Sequence, residues 1–296
     1  MKVSDLLDRC EKEEWRGHRS LHTLRSNLRI LRKVCGDDEI ADLHYTRLKA
    51  IADAMGTGRG GKALAPATVK RRMETLSASL LLATKMTDAE GRPLLLAKPT
   101  FPSFVIQNIQ DRVIQDDEAV ALFEVIAKRR EREPHRDWRR FDALIRFLLA
   151  TACRRGEALR VHPGHIDRRG DRHFVIFERY TTKSTKPRIV PLTAEIVGLL
   201  PELRMRAGNG PLFPFTPSQL WQMWKAIRTD MAARGNDFSL VRYHSCRHTT
   251  LTKAMKRFPL AKVSKLAGHA SIQITADRYG HLTADDLLDV VDAVAA

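Results

Sequence analysis

The stretch "YHSCRHTT", residues 243–250, combines two histidines with an arginine at helical spacing. His244 and Arg247 are three residues apart, so on a helix both side chains lie on one face. A guanidinium neutralises the non-bridging oxygens of a phosphate, and an imidazole transfers a proton near neutral pH. The pair therefore predicts phosphoryl-transfer chemistry. A metal held by His244 and His248 is disfavoured, because no third ligand is nearby and Arg247 repels a cation.

Further cationic and proton-transferring side chains occur elsewhere in the chain. "TACRRGEAL" places Arg154 at the end of an apolar helix, with Glu157 three residues later to orient it. The polar turn "TTKSTKPR" carries Lys183 between two strand-like runs, and "LAGHASIQ" carries His269 after the helix-ending Gly268. Each side chain alone also fits a surface or core-edge position. Their types and order together indicate one site for an anion.

A tyrosine in "ADRYGHL" follows this set. Tyr279 is one of four tyrosines in the chain. An amphipathic ring at a domain edge is the simplest interpretation of such a residue. A phenol with a pKa of about 10 becomes a useful nucleophile only beside cations. The upstream cationic side chains therefore favour Tyr279 as the nucleophile.

These motifs together resemble the tyrosine recombinase, or phage integrase, family. The resembling elements, in chain order, are T-x-x-Arg154-x-x-Glu157-x-L, Lys183 before "RIVPL", His244-x-x-Arg247-His248, Gly268-His269 and Tyr279-Gly280-His281. The resemblance covers about residues 112–285. The family usually has glycine where Ala152 stands. The helices similar to the family's core-binding domain begin almost at Met1, so the likeness is to members without an N-terminal arm-site-binding domain.

The resemblance implies a metal-independent and ATP-independent reaction. Tyr279 would attack a scissile DNA phosphate, forming a 3′-phosphotyrosyl link and releasing a 5′-hydroxyl. Covalent capture conserves the phosphodiester energy for rejoining, so no cofactor is expected. Arg154 and Arg247 would hold the non-bridging oxygens in the transition state.

The remaining site residues receive supporting roles by the same resemblance. Lys183 would protonate the leaving 5′-oxygen. His244 would exchange a proton on the tyrosine side, and His269 would donate a hydrogen bond to the phosphate. Glu157 is expected to support an arginine rather than to react.

The elements that must position these residues are mainly helical, with a small β-sheet. We expect a helical, SAM-like core-binding domain over residues 1–97, a proline-rich linker over 98–112 and a mixed α/β catalytic domain over 113–296. Apolar residues at helical spacing predict a helix from Pro66. "RHFVIF" and "RIVPL" predict one strand pair.

Composition favours a nucleic-acid partner. The net charge is +16, and both parts of the chain are basic, with 19 basic and 13 acidic residues in 1–110 and 32 and 22 in 111–296. We expect Lys62, Lys70, Arg71 and Arg72 to contact DNA, although a solvated basic face explains them equally well. The glycine-rich "GTGRGGKA" is disfavoured as a nucleotide site, because it follows a helix and ends in Ala63.

The expected partner is double-stranded DNA with core-type recombination sites. The resemblance implies a homotetramer on two DNA sites, with helix 283–296 docked on a neighbouring subunit or packed on its own domain. Accessory DNA-bending or directionality proteins are optional partners. No signal peptide or membrane span is expected, so a cytoplasmic, nucleoid-associated protein with four reduced cysteines is predicted. The alternatives are a type IB topoisomerase-like enzyme, a non-catalytic DNA-binding relative and a metal-dependent hydrolase.

Overall fold

The computed structural model describes most of the chain. The described residues are 1–17, 21–58, 61, 63–106, 112–178, 187–269 and 271–279, with side chains to 276 in the last range. The chain separates into two compact units, Met1–Ile109 and Gln110–Ala296. The domain limits at 97 and 113 remain a prediction.

The first unit is helical in its described part. Its helices are α1 (Val3–Glu13), α2 (Leu21–Cys35), a 3-10 turn (Ile40–Asp42), α3 (Tyr45–Ala54) and α4 (Pro66–Ala83). Pro66 occupies the first turn of α4, where its missing N–H costs no hydrogen bond. The predicted start of this helix is confirmed.

Amphipathic stripes build the core of the first unit. Leu28 and Leu31 of α2 are fully buried, whereas Arg25, Arg29 and Arg32 lie on other faces. The stripe of α4 is also buried, through Val69, Met73, Leu76, Leu80 and Ala83. Burial of these side chains removes apolar surface from water and so holds the helices together.

The second unit combines helices with one small sheet. Its elements are α5 (Asp116–Arg132), α6 (Trp138–Thr151), α7 (Arg155–Ala158), a 3-10 turn (Pro163–His165), β1 (Ile166–Arg169), β2 (Arg172–Phe177), β3 (Arg188–Pro191), α8 (Ala194–Ala207), α9 (Pro217–Ala232), α10 (Tyr243–Met255), α11 (Leu260–Ala267) and α12 (Ile272–Tyr279). This mainly helical architecture with a small sheet matches the expected fold class.

The sheet is antiparallel in the order β1-β2-β3. Val175 of β2 pairs with Ile166 on one side and Val190 on the other, and Phe177 pairs with Arg188. The predicted strand pair is confirmed, and β1 is an additional strand. Its sequence, "IDRR", was not predicted as a strand, because it lacks alternating apolar residues and only Ile166 is buried.

Helix α6 is the central element of the second unit. Leu144, Ile145, Phe147 and Leu148 are fully or almost fully buried, as their spacing predicted. Phe147 packs on Phe177 of the sheet with ring centroids 6.4 Å apart. Helix α6 also packs against α5, α8 and α10. The end of α6 is therefore fixed on several sides, which matters because Arg154 follows it.

All four cysteines are buried thiols. Burial raises the pKa of Cys10, Cys35, Cys153 and Cys246 to about 12. The thiolate form is therefore scarce at neutral pH, and the predicted reduced cysteines are confirmed as packing residues. Among the described residues, no helix combines the length and apolar character that a bilayer crossing requires.

Candidate active site

Helix α10 presents the histidine-arginine pair. Its first turn is closed by Ser245, whose Oγ accepts the backbone N–H of Arg242 at 3.0 Å. The helix is tied to α6 because Thr250 Oγ1 donates to the carbonyl of Leu149 at 2.5 Å. His244 is half-buried on this helix, and Arg247 lies one turn further on. The predicted helical arrangement of the pair is confirmed.

Arg247 is held by neutral acceptors from two other segments. Its side chain is buried, with 2% exposed. Nη1 donates to the carbonyl of Ala152 at 2.7 Å, and Nη2 donates to the carbonyl of Ala267 at 2.7 Å. The same Nη2 lies 3.0 Å from Nε2 of His269. Arg247 therefore joins the end of α6, the end of α11 and the predicted phosphate-binding histidine.

These contacts indicate which ring nitrogen of His269 carries the hydrogen. A guanidinium only donates hydrogen bonds, so Nε2 of His269 accepts and its hydrogen is on Nδ1. Nδ1 in turn lies 2.7 Å from Oγ1 of Thr275, a fully buried residue of α12. We call Arg247, His269 and Thr275 the Arg247 cluster. The hydrogen bonds thus assign His269 as the neutral tautomer with its hydrogen on Nδ1.

The Arg247 cluster reaches the helix of the predicted nucleophile. Thr275 lies four residues before Tyr279, the last residue of α12, so the two positions share one helix face. The start of α12 is capped by Ser271, whose Oγ accepts the N–H of Gln273 at 3.2 Å. The backbone that carries Tyr279 is thus attached to His269 and, through it, to Arg247.

Arg154 is held by a carboxylate. The backbone N–H of Arg154 donates to Oε2 of Glu157 at 2.8 Å, and its Nη1 donates to Oε1 at 3.0 Å. The side chain of Glu157 is 2% exposed, whereas that of Arg154 is 26% exposed. Glu157 therefore orients Arg154 from the interior. The sequence-based expectation of a supporting contact between them agrees with this geometry.

A third arginine, Arg188, completes this group and was missed at the sequence level. Nη2 of Arg188 lies 2.8 Å from Oε2 of Glu157, and Nη1 lies 3.2 Å from Oε1. We call Arg154, Glu157 and Arg188 the Glu157 cluster. The sequence contained a signal for this contact, because Arg188 and Val190 occupy alternate positions that share the inward face of β3. An arginine at an inward strand position needs a carboxylate nearby.

The charges of the cluster account for the ionisation of Glu157. Burial by itself raises the pKa of the Glu157 carboxyl. The hydrogen bonds and charge of Arg188, followed by those of Arg154, outweigh burial and hold the pKa below its ordinary value. Glu157 is consequently a carboxylate under working conditions. It neutralises one of its two arginine partners and leaves net positive charge at the site.

The turn at Gly268 lies between the Glu157 cluster and the Arg247 cluster. Gly268 ends α11 in the left-handed region, with φ +64°. A Cβ on Gly268 would lie 2.9 Å from Cδ and Nη1 of Arg188. Glycine is thus required both by the backbone angle and by the close approach of Arg188. A cleft of about 540 Å³ lies here, lined by Arg188, Lys265, Gly268 and His269 among others.

The end of α6 has an unusual backbone conformation. Ala152 has φ +51° and is the one non-glycine residue with positive φ in the described part of the chain. The glycine usual in the family would fit this conformation without a Cβ conflict. The Ala152 methyl is instead buried with Leu251, Val263 and Ala267. The strained residue directs its carbonyl to Arg247.

Several predicted site residues lie outside the described residues. Lys183 and Lys62 are among them, and for Tyr279 the description covers the backbone only. Two other tyrosines can be compared. Tyr243 is buried, donates to the carbonyl of Leu220 at 2.8 Å, and has its pKa raised by burial. Tyr45 is 51% exposed and belongs to the first unit.

The predicted DNA contacts on α4 remain predictions. Arg71 is exposed, Lys70 lies 4.0 Å from Glu74, and Nη1 of Arg72 donates to the carbonyl of Met55 at 3.4 Å. These contacts leave the basic side chains at the surface of the helix. Among the described residues, His, Cys, Asp and Glu side chains form no group of three that could hold a metal.

Comparison with known proteins identifies the family of this chain. A sequence model described as the Phage integrase family matches residues 112–285. A "Tyrosine recombinase XerC-like" protein of Caldanaerobacter subterraneus subsp. tengcongensis is 28% identical over 153 residues, which are 44% of this chain and 37% of that protein. The chain spans less than half the length of the curated relatives that it matches. The chain belongs to the phage integrase family of tyrosine recombinases.

Solved structures show the same fold at low sequence identity. The Tn1549 transposon integrase in complex with transposon right end DNA has a TM-score of 0.75 and 16% identity, covering all of both chains. A lambda integrase dimer bound to a COC′ core site has a TM-score of 0.69 and 16% identity, covering 94% of this chain and 77% of that one. The folds are alike although few residues are shared.

Proposed function

We propose that the chain is a site-specific DNA recombinase that cleaves and rejoins DNA through a phosphotyrosine linkage at Tyr279. The observation that carries this proposal is the chain of contacts from Arg247 through His269 and Thr275 to the helix ending at Tyr279. A nucleophile on that helix has a fixed relation to a buried cation. Proximity of this kind converts a bimolecular attack into an effectively unimolecular one.

The proposed reaction is a phosphoryl transfer without a metal or ATP. The Tyr279 oxygen attacks phosphorus, its proton passes to His244, and a bond from phosphorus to the tyrosine oxygen forms. The bond to the 5′-oxygen breaks, and Lys183 supplies the proton for this leaving group. Reversal of the same steps with a different 5′-hydroxyl exchanges the strands.

The arginines carry the electrostatic part of the proposal. Arg154 and Arg247 neutralise the non-bridging oxygens as charge accumulates in the transition state, and His269 orients Arg247 by accepting a hydrogen bond from its Nη2. Donors held rigidly by Glu157 and by backbone carbonyls need little reorganisation during the reaction. Lys62, Lys70, Arg71 and Arg72 are proposed to contact the DNA backbone of core-type sites. Assembly as a tetramer on two sites, with the 283–296 segment at the subunit contact, belongs to the same proposal.

A suicide DNA substrate tests the proposal. The substrate carries the junction of the host or element and a nick that traps the covalent product, and the buffer contains a chelator. We expect a DNA adduct with the wild type and with Tyr45→Phe, which alters an exposed tyrosine of the first unit. Tyr279→Phe should form none. An adduct with Tyr279→Phe, or none with wild type, contradicts the proposal.

The same preparation separates three other functions. Relaxation of a supercoiled plasmid that lacks the junction sequence would favour a topoisomerase-like enzyme. Binding of the junction without an adduct would favour a non-catalytic DNA-binding protein. Loss of cleavage in chelator, restored by a divalent cation, would favour a metal-dependent hydrolase.

A further inference from the structure

Arg188 is a buried charge outside the residues that the family motifs assign to the reaction. Its side chain is 7% exposed, and that of its partner Glu157 is 2% exposed. Burial of two such charges is tolerated only with close pairing and good hydrogen bonds. The two parallel N–H···O contacts between Arg188 and Glu157 meet that requirement.

The pair connects the interior to an arginine that remains accessible. Both carboxylate oxygens of Glu157 are shared between Arg188 and Arg154. Arg154 is the exposed member of the cluster and therefore the one able to meet a ligand. A rigid Glu157 fixes the backbone and the guanidinium of Arg154 together. Any change at Arg188 is consequently transmitted to Arg154.

Arg188 also contacts the segment that carries His269. Its guanidinium carbon lies 4.4 Å from the centroid of the Phe177 ring, the residue paired with it across the sheet. Its Cδ and Nη1 lie against Gly268, where no side chain could fit. One side chain thus touches the support of Arg154 and the turn immediately before His269.

We propose that Arg188 is a positioning residue for DNA cleavage, which fixes Arg154 through Glu157 and sets the Gly268 turn that carries His269. This inference rests on the proposed function. Arg188 touches neither DNA nor the reacting atoms in this scheme. It acts by holding Arg154 and the turn before His269, the residue that orients Arg247, at one spacing.

Two substitutions and a matched control test this role. Arg188→Met removes the charge at similar length, and Arg188→Lys keeps a charge but loses the paired N–H donors. Arg129→Met is the control, because Arg129 makes a similar paired contact with Asp230 at 2.6 and 2.7 Å in the same unit. Single-turnover cleavage of the suicide substrate should fall about 100-fold for Met and about 10-fold for Lys. DNA affinity and the control's cleavage rate should stay within about three-fold.

A double variant separates positioning from folding. Arg188→Met combined with Glu157→Gln leaves no unpaired buried charge, so it should unfold at higher denaturant concentration than Arg188→Met alone. Cleavage should nevertheless remain slow, because a neutral amide holds Arg154 poorly. In Arg188→Met the cleavage rate should also fall with acid at higher pH than in wild type, since Glu157 loses its main cationic partner.

The outcomes are distinguishable. No adduct with the wild type contradicts the proposed function itself. Wild-type cleavage together with an Arg188→Met rate equal to the Arg129→Met rate contradicts the positioning role. A double variant that regains both stability and cleavage rate also contradicts it, because Arg188 would then serve folding alone. If Arg188→Met does not fold, Arg188→Lys and the double variant provide the same comparison.

Discussion

The Glu157 cluster and the Arg247 cluster hold their arginines with different chemistry. Glu157 is a buried carboxylate that binds Arg154 and Arg188, so one negative charge is shared between two positive ones. Arg247 is bound by two backbone carbonyls and the imidazole of His269, which are neutral acceptors. The first arrangement stiffens an accessible arginine. The second orients a buried guanidinium without these acceptors cancelling its charge.

This difference predicts separate roles for the two clusters at one phosphate. The hydrogen-bond acceptors of Arg247 are neutral and do not cancel its positive charge, and a charge acts strongly in a low-dielectric interior. Arg247 should therefore contribute most to the electrostatic stabilisation of the transition state. The contribution of Arg154 to the cleavage rate should depend on the orientation of its guanidinium, which Glu157 and Arg188 fix. Substitutions that affect charge and substitutions that affect orientation should therefore give different patterns of cleavage and stability.

The largest effect is expected from Arg247→Ala. Loss of a preorganised donor at the phosphate should lower the single-turnover cleavage rate by about 1000-fold. DNA affinity should change by only a few-fold, since many phosphate contacts share the binding energy. Arg129→Ala, which removes a paired arginine remote in sequence from the site motifs, serves as the control. An Arg247→Ala rate within ten-fold of that control would contradict the special role of this arginine.

Glu157→Gln should affect stability and rate together. Replacement of the carboxylate leaves Arg188 buried without its counter-charge, which should lower the free energy of unfolding by about 3 kcal/mol at pH 7. The cleavage rate should fall by about 10-fold as Arg154 loses its orientation. Glu195→Gln, at a half-exposed ion pair with Arg146, should change stability by less than about 1 kcal/mol.

The same substitution has a defined pH dependence. The pKa of Glu157 is held below its ordinary value of 4.5, so its charged form stabilises the fold above that pH. This stabilisation is lost as the pH falls through the lowered pKa. The difference in unfolding free energy between wild type and Glu157→Gln should therefore be largest near neutrality and shrink in acid. Urea denaturation at several pH values measures it, and a constant difference would contradict this account.

Thr275 offers a closely matched pair of substitutions. Valine has the shape of threonine without the hydroxyl, whereas serine keeps the hydroxyl that meets Nδ1 of His269. An unpaired Nδ1–H should lower cleavage by about 10-fold in Thr275→Val, consistent with ~1–2 kcal/mol. Thr275→Ser should stay within about three-fold of wild type by the same measure. Equal rates for the two variants would show that the hydroxyl is not what matters.

The smallest difference of this series is expected between Gly268→Ala and a matched glycine substitution, Gly170→Ala. Gly268 and Gly170 have similar φ values, +64° and +59°, but only a Cβ at Gly268 meets another side chain. Both alanines should cost about 1 kcal/mol through backbone strain. Contact with Arg188 should cost Gly268→Ala about 1 kcal/mol more. Chemical denaturation of both variants measures the difference, and equal losses would show that Arg188 moves without cost.

Much of this architecture was predictable from the sequence. The buried stripe of α4, the strands around "RIVPL" and the helix carrying His244 and Arg247 follow from local periodicity and residue type. The roles of Arg188 and Thr275 did not follow. Each depends on a partner from another element, Glu157 for Arg188 and His269 for Thr275. Such contacts appear only once the elements are packed.

The identity of the family followed from residue types in order, whereas the geometry between them required the fold. The sequence indicated that Glu157 could orient Arg154. It did not indicate that the same carboxylate is shared with β3, because Arg188 lies 31 residues further along the chain. The left-handed conformation of Ala152 was also hidden, since alanine rarely adopts it.

The central claim is that Arg154 and Arg247 neutralise charge on one DNA phosphate attacked by Tyr279. A suicide substrate with a methylphosphonate at the cleavage position tests it directly, because one charged oxygen is replaced by a neutral methyl. The cleavage defects of Arg247→Ala and Arg154→Ala should shrink by at least about 10-fold on this substrate. Tyr279→Phe should form no adduct on either substrate. Equal arginine defects on the charged and the neutral substrate would contradict the account.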